Sequence, residues 1–156
     1  MIVLGIDSAS RSGWGLLSGE RLIGHGVVDA RDLLRVDALA KRVCAEARPD
    51  LVAIEDNFLM RGPKMNVGTV KLLSRLVGAW QLAFALRGVP TEVIEPSVWQ
   101  RGVLGKLTRG GTKRAAALWV RATYAVDVGE DEADAVGLAT FVHRRDALAG
   151  KIRAAG

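Results

Sequence analysis

Four acidic residues lie at positions that suit a chemical role better than a role in packing. Asp7 ends the first apolar run of the chain, Glu55 ends a second, and Asp131 and Asp134 open an otherwise apolar helical stretch. Oxygen ligands without histidine or cysteine favour Mg²⁺ or Mn²⁺ over zinc. A pair of such ions activates water for phosphodiester hydrolysis. The acids therefore predict a metal site with two divalent ions.

Each acid also has a purely structural explanation. Asp7 is suited to capping a following turn, and Glu55 to ordinary solvation at a strand end. The helix dipole favours acids in a first turn by about 0.3–1 kcal/mol each. This accounts for Glu130 and Glu132 but less well for Asp134, which begins the apolar body of the helix.

The hydrophobic pattern predicts elements that would bring the acids together. Strands are predicted at 2–7, 14–17, 21–28, 51–54 and 91–94, and helices at 33–47, 66–86, 112–125 and from 130 to at least 144. Residues 8–13 are predicted as a turn and 96–111 as a glycine-bearing basic segment. The order βββαβαβαα predicts one α/β domain, 1–156, with a five-stranded mixed sheet and helices on both faces.

Strand and helix periodicity predicts how the acids face one another. If the first and fourth strands are neighbours, Asp7 and Glu55 meet at one end of the sheet, whereas Asp56 points to the other face. Asp131 and Asp134 are three residues apart and share a helix face. We therefore expect these two aspartates to face Asp7 and Glu55, and the remaining first-turn acids to be helix-start charges.

The charge distribution indicates a polyanionic partner. Residues 57–126 contain eleven Lys and Arg against two acids, a net charge of +9, whereas the rest of the chain has −4. A basic block in a bipolar chain is typical of nucleic-acid binding, although a basic soluble surface is the alternative. The single cysteine, Cys44, the lack of a basic leader and the lack of an apolar run of about 18 residues favour a cytoplasmic protein without a membrane segment.

Three stretches in this order, GIDSASRSGWGLL, AIEDNF and DEADAVGLA, resemble the RuvC family of Holliday-junction resolvases, which have the ribonuclease H-like fold. The resemblance extends from Met1 to about His143. Members usually have Pro-Gly where this chain has Ser8 and Ala9. The stretch SVWQRGVLGK looks more like phage or organellar relatives, so the resemblance implies a bacterial or phage-infected cell, with an organelle as the alternative.

The resemblance implies a Mg²⁺-dependent homodimeric endonuclease, in which Mn²⁺ can substitute, that nicks two opposed strands of a four-way junction. Nicking leaves 5′-phosphate and 3′-hydroxyl ends. Asp7 would bridge two ions whose coordination Glu55, Asp131 and Asp134 complete, and Lys113 would lie near the scissile phosphate. The helix at 66–86 is apolar on two faces, which suits a dimer interface.

The resemblance and the basic block together imply the DNA contacts. Phe58 matches an aromatic residue that stacks at the opened junction centre, with a core phenylalanine as the alternative. Backbone contacts are expected from two basic sets: Arg61, Lys64, Lys71 and Arg75, then Arg101, Lys106, Arg109, Lys113 and Arg114.

Three other functions compete with junction resolution. They are a related nuclease acting on other branched DNA or RNA hybrids, a junction-binding protein that does not cut, and an actin-like phosphotransferase. The intact set of four acids disfavours the second, and the short chain disfavours the third. Branch-migration machinery is a candidate partner that the sequence leaves open.

Overall fold

The computed structural model describes residues 1–56, 67–105 and 112–155. Its sheet has five strands, in the spatial order β3-β2-β1-β4-β5. The strands are β1 Ile2–Asp7, β2 Arg11–Ser18, β3 Arg21–Asp29, β4 Leu51–Glu55 and β5 Thr91–Ile94. The β1–β2 and β2–β3 pairs are antiparallel, and β1–β4 and β4–β5 are parallel. The mixed five-stranded sheet is thus confirmed.

Helices cover both faces of this sheet, as predicted. They are α1 Leu33–Glu46, α2 Val67–Ala85, α3 Pro96–Leu104, α4 Thr112–Tyr124 and α5 Glu130–Ala155. Because strand side chains alternate, Leu4 and Ile6 of β1 pack under α1 and α2, and Val3 packs under α3, α4 and α5. Two hydrophobic cores, one on each face, therefore hold the sheet between the helices.

Three glycines of the sheet allow α5 to pack unusually close to it. A Cβ built at Gly5 or Gly13 would overlap the main-chain oxygen of Ala135 or Asp131, and one at Gly15 would lie 2.6 Å from the Val136 side chain. Only residues without a Cβ allow such a close approach of helix to strand. The glycines of β1 and β2 therefore fix the height of α5 above the sheet.

Two elements differ from the sequence prediction. Helix α3 lies in the segment that was predicted as glycine-bearing and basic, without an assigned helix; it begins with Pro96, and buried Trp99 anchors it. Proline suits the first helical position because it has no N–H to leave unpaired. Strand β2 begins at Arg11, inside the predicted turn, because Gly13 pairs with Asp7 across the ladder.

Helix α5 extends beyond the predicted minimum of residue 144. Arg145 anchors its second half to β5 through two hydrogen bonds to Glu92, at 2.6 and 2.7 Å, and a third to Asp146. These hydrogen bonds raise the pKa of Arg145 above its ordinary value. Over the three described ranges, no helix combines the length and hydrophobicity needed to cross a bilayer.

Candidate active site

Asp7 and Glu55 end two neighbouring parallel strands in the centre of the sheet. The register pairs Gly5 with Ala53 and Ile6 with Ile54, so the next position brings Asp7 beside Glu55. Alternation along the strands turns both side chains toward the α5 face. Asp7 is only 9% exposed. Such burial of a carboxylate is costly unless hydrogen bonds or a cation compensate it.

The first turn of α5 lies directly over this end of the sheet. The Asp131 carbonyl is in close contact with Gly13, and Gly13 is the β2 partner of Asp7. Asp134 is 5% exposed, whereas the Asp131 side chain is 28% exposed. The structure therefore brings the elements that carry all four predicted acids to one end of the sheet, at the boundary between β1, β4 and α5.

The donor set suits a hard divalent cation, because it consists of carboxylate oxygens with two of the acids almost fully buried. Within residues 1–56, 67–105 and 112–155, however, no three acidic, histidine or cysteine side chains already form a group that could hold a metal ion. The chemistry of the donor set thus fits Mg²⁺ or Mn²⁺.

Glu132 shapes the start of α5 rather than the site itself. One of its carboxylate oxygens accepts a hydrogen bond from the Gly129 main chain at 3.0 Å, which is the geometry of a capped helix. The other lies 2.8 Å from Nδ1 of His25 on β3. Glu132 is therefore a helix-start charge, as expected, and it also ties the first turn of α5 to the sheet.

Removal of the His25 side chain should loosen this connection. We expect His25→Ala to lower the free energy of unfolding by about 1 kcal/mol, because one partly buried hydrogen bond to a carboxylate is lost. For a chain of this size that corresponds to roughly 2–4 °C in thermal midpoint. Glu132→Ala should lose more, since it also removes the cap, and the double variant should lose less than the sum. Strict additivity would show that the two side chains do not interact.

Three residues beside the acids were not singled out by the sequence. Nε1 of Trp99 donates to Oε2 of Glu55 at 2.8 Å, and Oγ of Ser8 donates to the Glu55 main-chain oxygen at 2.6 Å. Nε of Arg11 lies 3.8 Å from Oδ2 of Asp131, a weak pair because Arg11 is largely exposed. In the sequence, Trp99 was visible only as an apolar residue five positions after Ile94, the last residue of β5, and this does not reveal a hydrogen bond.

The basic residues predicted to contact DNA are only partly described. Lys71 and Arg75 are exposed on α2, Arg101 on α3 and Arg114 on α4. Lys113 lies in α4, but its side chain is outside the described residues. The predicted positions that lie wholly outside them are Phe58, Arg61, Lys64, Lys106 and Arg109.

The strand order, the helices on both faces and the acids at the ends of β1 and β4 define a ribonuclease H-like fold. No protein-family model matches the chain. Among solved structures, the chain is similar to RuvC of Thermus thermophilus, with 25% identity, a TM-score of 0.73, and coverage of 94% of this chain and 97% of that one. The resemblance to RuvC inferred from the sequence is thus confirmed over nearly the whole chain.

Two further structures contain DNA. T. thermophilus RuvC in complex with a Holliday junction substrate aligns with a TM-score of 0.75 at 24% identity, over 93% of this chain and 96% of that one. The fowlpox virus resolvase in complex with Holliday junction DNA aligns with a TM-score of 0.61 at 12% identity, over 93% and 98%. At these identities the likeness is one of fold, and the bacterial structures align better than the viral one.

Proposed function

We propose that this chain is a structure-selective endonuclease that resolves four-way DNA junctions by paired nicks. One observation carries the proposal. The strand ends bearing Asp7 and Glu55 meet the start of α5, whose first two turns bear Asp131 and Asp134, in a fold similar to that of junction resolvases. Residues 1–156 would act as one nuclease domain, and nicking would leave 5′-phosphate and 3′-hydroxyl ends.

The four acids are proposed to hold Mg²⁺, or Mn²⁺ in its place, with two ions per site. A bound pair would supply Lewis acidity for activating water and for stabilising charge on the phosphoryl oxygens. Asp7 is suited to the shared position because it lies between Glu55 on the sheet and the first turn of α5. Asp134, almost buried, would present its carboxylate from the helix side.

Exposed cations on the helices would hold the DNA backbone. Lys71, Arg75, Arg101 and Arg114 are exposed on three helices, and such contacts give affinity that falls steeply with salt. Phe58 at the junction centre, Lys113 near the scissile phosphate, and Arg61, Lys64, Lys106 and Arg109 on the backbone stay as proposals drawn from the sequence.

Cleavage of a substrate panel tests the function. Four-way junction, fork, linear duplex and RNA–DNA hybrid of matched sequence are each incubated with protein and Mg²⁺, and again with EDTA. We expect cleavage of the junction alone, and none in EDTA. Preferential cutting of the fork or the hybrid would favour the related-nuclease alternative. Tight junction binding without cutting in any divalent metal would favour the binding-protein alternative.

A homodimer is proposed because an apolar groove runs between α1 and α2. The groove has a volume of about 450 Å³. Its lining is mostly apolar and includes Leu72, Leu82 and Leu86, with Arg31, Asp37 and Arg75 as its charged members. Leu82 and Leu86 are 60% and 74% exposed, although Trp80 and Phe84 on the same helix are fully buried. An exposed apolar face of this kind marks an interaction surface, and two opposed nicks require two active sites.

Charge in the groove should break the dimer. We expect Leu82→Glu to raise the dimer dissociation constant by about 30-fold or more, as truncation of an interface anchor of about 2 kcal/mol would. Sedimentation velocity at micromolar concentration measures it. Leu148→Glu is the matched control, since Leu148 on α5 is equally exposed, at 60%, and lies outside the groove. A wild-type monomer, or equal effects of both variants, would contradict the assignment.

We propose that the protein acts in the cytoplasm of a bacterial or phage-infected cell, with an organelle as the alternative. The single cysteine, Cys44, supports a reducing compartment, because it has no partner cysteine in the chain and packs against the α1–α2 core. Branch-migration machinery is a further candidate partner of the protein on its junction.

A further inference from the structure

We propose that Trp99 is a positioning residue for the active-site carboxylate of Glu55. The indole Nε1 of Trp99 donates a hydrogen bond to Oε2 of Glu55 at 2.8 Å, and the Trp99 side chain is fully buried. This inference rests on the proposed function only in assigning Glu55 to the metal site; the hydrogen bond itself does not depend on it.

The indole has little freedom to leave this position. Trp99 belongs to the core between the sheet and α5, and a Cβ built at Gly137 of α5 would lie 2.5 Å from Cζ3 of its ring. Gly137 therefore opens the space that the ring fills. Three elements, β4, α3 and α5, meet at the Trp99–Glu55 hydrogen bond. The packing that positions α5 on the sheet therefore also orients the indole N–H.

The position of Trp99 in the chain follows from that of Glu55. Glu55 pairs with Ile94 at the end of β5, and α3 begins two residues later at Pro96. The first turn of α3 thus starts beside the end of β4. Because proline fixes the backbone at the first helical position, the turn carries Trp99 to a defined place next to the Glu55 side chain.

Glu55 is fixed at two points. The Trp99 indole holds one carboxylate oxygen, and Oγ of Ser8 holds the Glu55 main-chain oxygen at 2.6 Å. Because Ser8 directly follows Asp7, this second hydrogen bond connects the chain next to Asp7 to the backbone of Glu55. A neutral donor restricts rotation of the Glu55 carboxylate and leaves its negative charge in place. Removal of such supporting hydrogen bonds typically costs 10–100-fold in metal affinity.

The test uses the indole N–H resonances of the four tryptophans, recorded on the full-length protein without DNA. Trp99→Phe identifies the Trp99 signal by its loss. Glu55→Gln should then shift that signal, while the signals of Trp14 and Trp119 stay in place. Addition of Mg²⁺ alone should shift it as well. An unchanged Trp99 signal in Glu55→Gln would overturn the proposal, and this variant leaves the tryptophan packing intact.

Metal affinity supplies the second readout. Mg²⁺ titrations followed by calorimetry should show about 10–100-fold weaker binding in Trp99→Phe, with junction binding in EDTA unchanged. Trp119→Phe is the control, because Trp119 packs edge-on against Tyr124 with the Arg144 guanidinium over its ring. Equal Mg²⁺ affinity in wild type and Trp99→Phe would overturn the positioning role.

Failure of the proposed function would look different. If the protein cut no junction but the Trp99 signal still responded to Glu55→Gln and Mg²⁺, the positioning role would stand and the assigned reaction would fall. If junctions were cut by wild type and Trp99→Phe with the same half-saturating Mg²⁺, the reaction would stand and the positioning role would fall.

Discussion

Asp7→Asn should abolish junction cleavage while leaving junction binding intact. Asp7 ends β1, which lies between β4, the strand of Glu55, and β2, the strand under the Asp131 carbonyl, and it is the carboxylate that we propose is shared between two ions. Metal assistance contributes several kcal/mol of transition-state stabilisation, so we expect a fall in the cleavage rate of about 10³-fold or more. Single-turnover cleavage with excess protein measures the chemical step apart from binding.

Asp56→Asn is the matched control for this result. Asp56 is the next residue after Glu55, but it is predicted to point to the opposite face of the sheet. We expect its cleavage rate to stay within a few-fold of wild type. If Asp7→Asn cut as fast as Asp56→Asn, the acids at this end of the sheet would not be the catalytic centre.

Gly13→Ala should damage the site without touching any carboxylate. The new Cβ would overlap the Asp131 carbonyl, so the first turn of α5 must move away from β1 and β2. Overpacking of this kind costs about 1–3 kcal/mol of stability. A shift of about 1 Å at a catalytic group costs about 10²-fold in rate. We therefore expect a lower thermal midpoint together with a roughly 100-fold loss of cleavage.

The same glycine-to-alanine substitution at an exposed position of α5 should do the opposite. Gly150 is an exposed helical residue, and nothing lies within 4 Å of a Cβ built there. Gly150→Ala should raise stability by about 0.5–1 kcal/mol and leave cleavage unchanged. Full activity in Gly13→Ala would show that the close approach of α5 to β2 does not matter for the reaction.

Much of the fold was readable from the sequence because its strands are continuous apolar runs. The strands 2–7 and 91–94 were predicted to the residue, since buried strands leave little ambiguity in pattern. Helix α3 was missed because Gly102 and a short apolar pattern resemble a loop. Its helix forms because Trp99 is buried under α5 and Phe141 fills the space beside Gly102, which are tertiary contacts.

The candidate site was predictable in its acids but not in their supports. Carboxylates at strand ends and in one helical turn are visible as spacing. Gly13 contacts α5, and Trp99 donates a hydrogen bond to Glu55. Both interactions join residues far apart in sequence, so no local sequence pattern predicts them. The pairing of His25 with Glu132 across 107 positions was hidden for the same reason.

Cleavage of a supercoiled plasmid that extrudes a cruciform tests the central claim most directly. Two coordinated nicks across the cruciform release linear DNA, whereas uncoordinated nicking releases open circles. With Mg²⁺ we predict a linear product whose nicks DNA ligase can seal. We predict no cutting of the relaxed plasmid that lacks the cruciform. Equal cutting of both plasmids, or no cutting with either Mg²⁺ or Mn²⁺, would contradict the account.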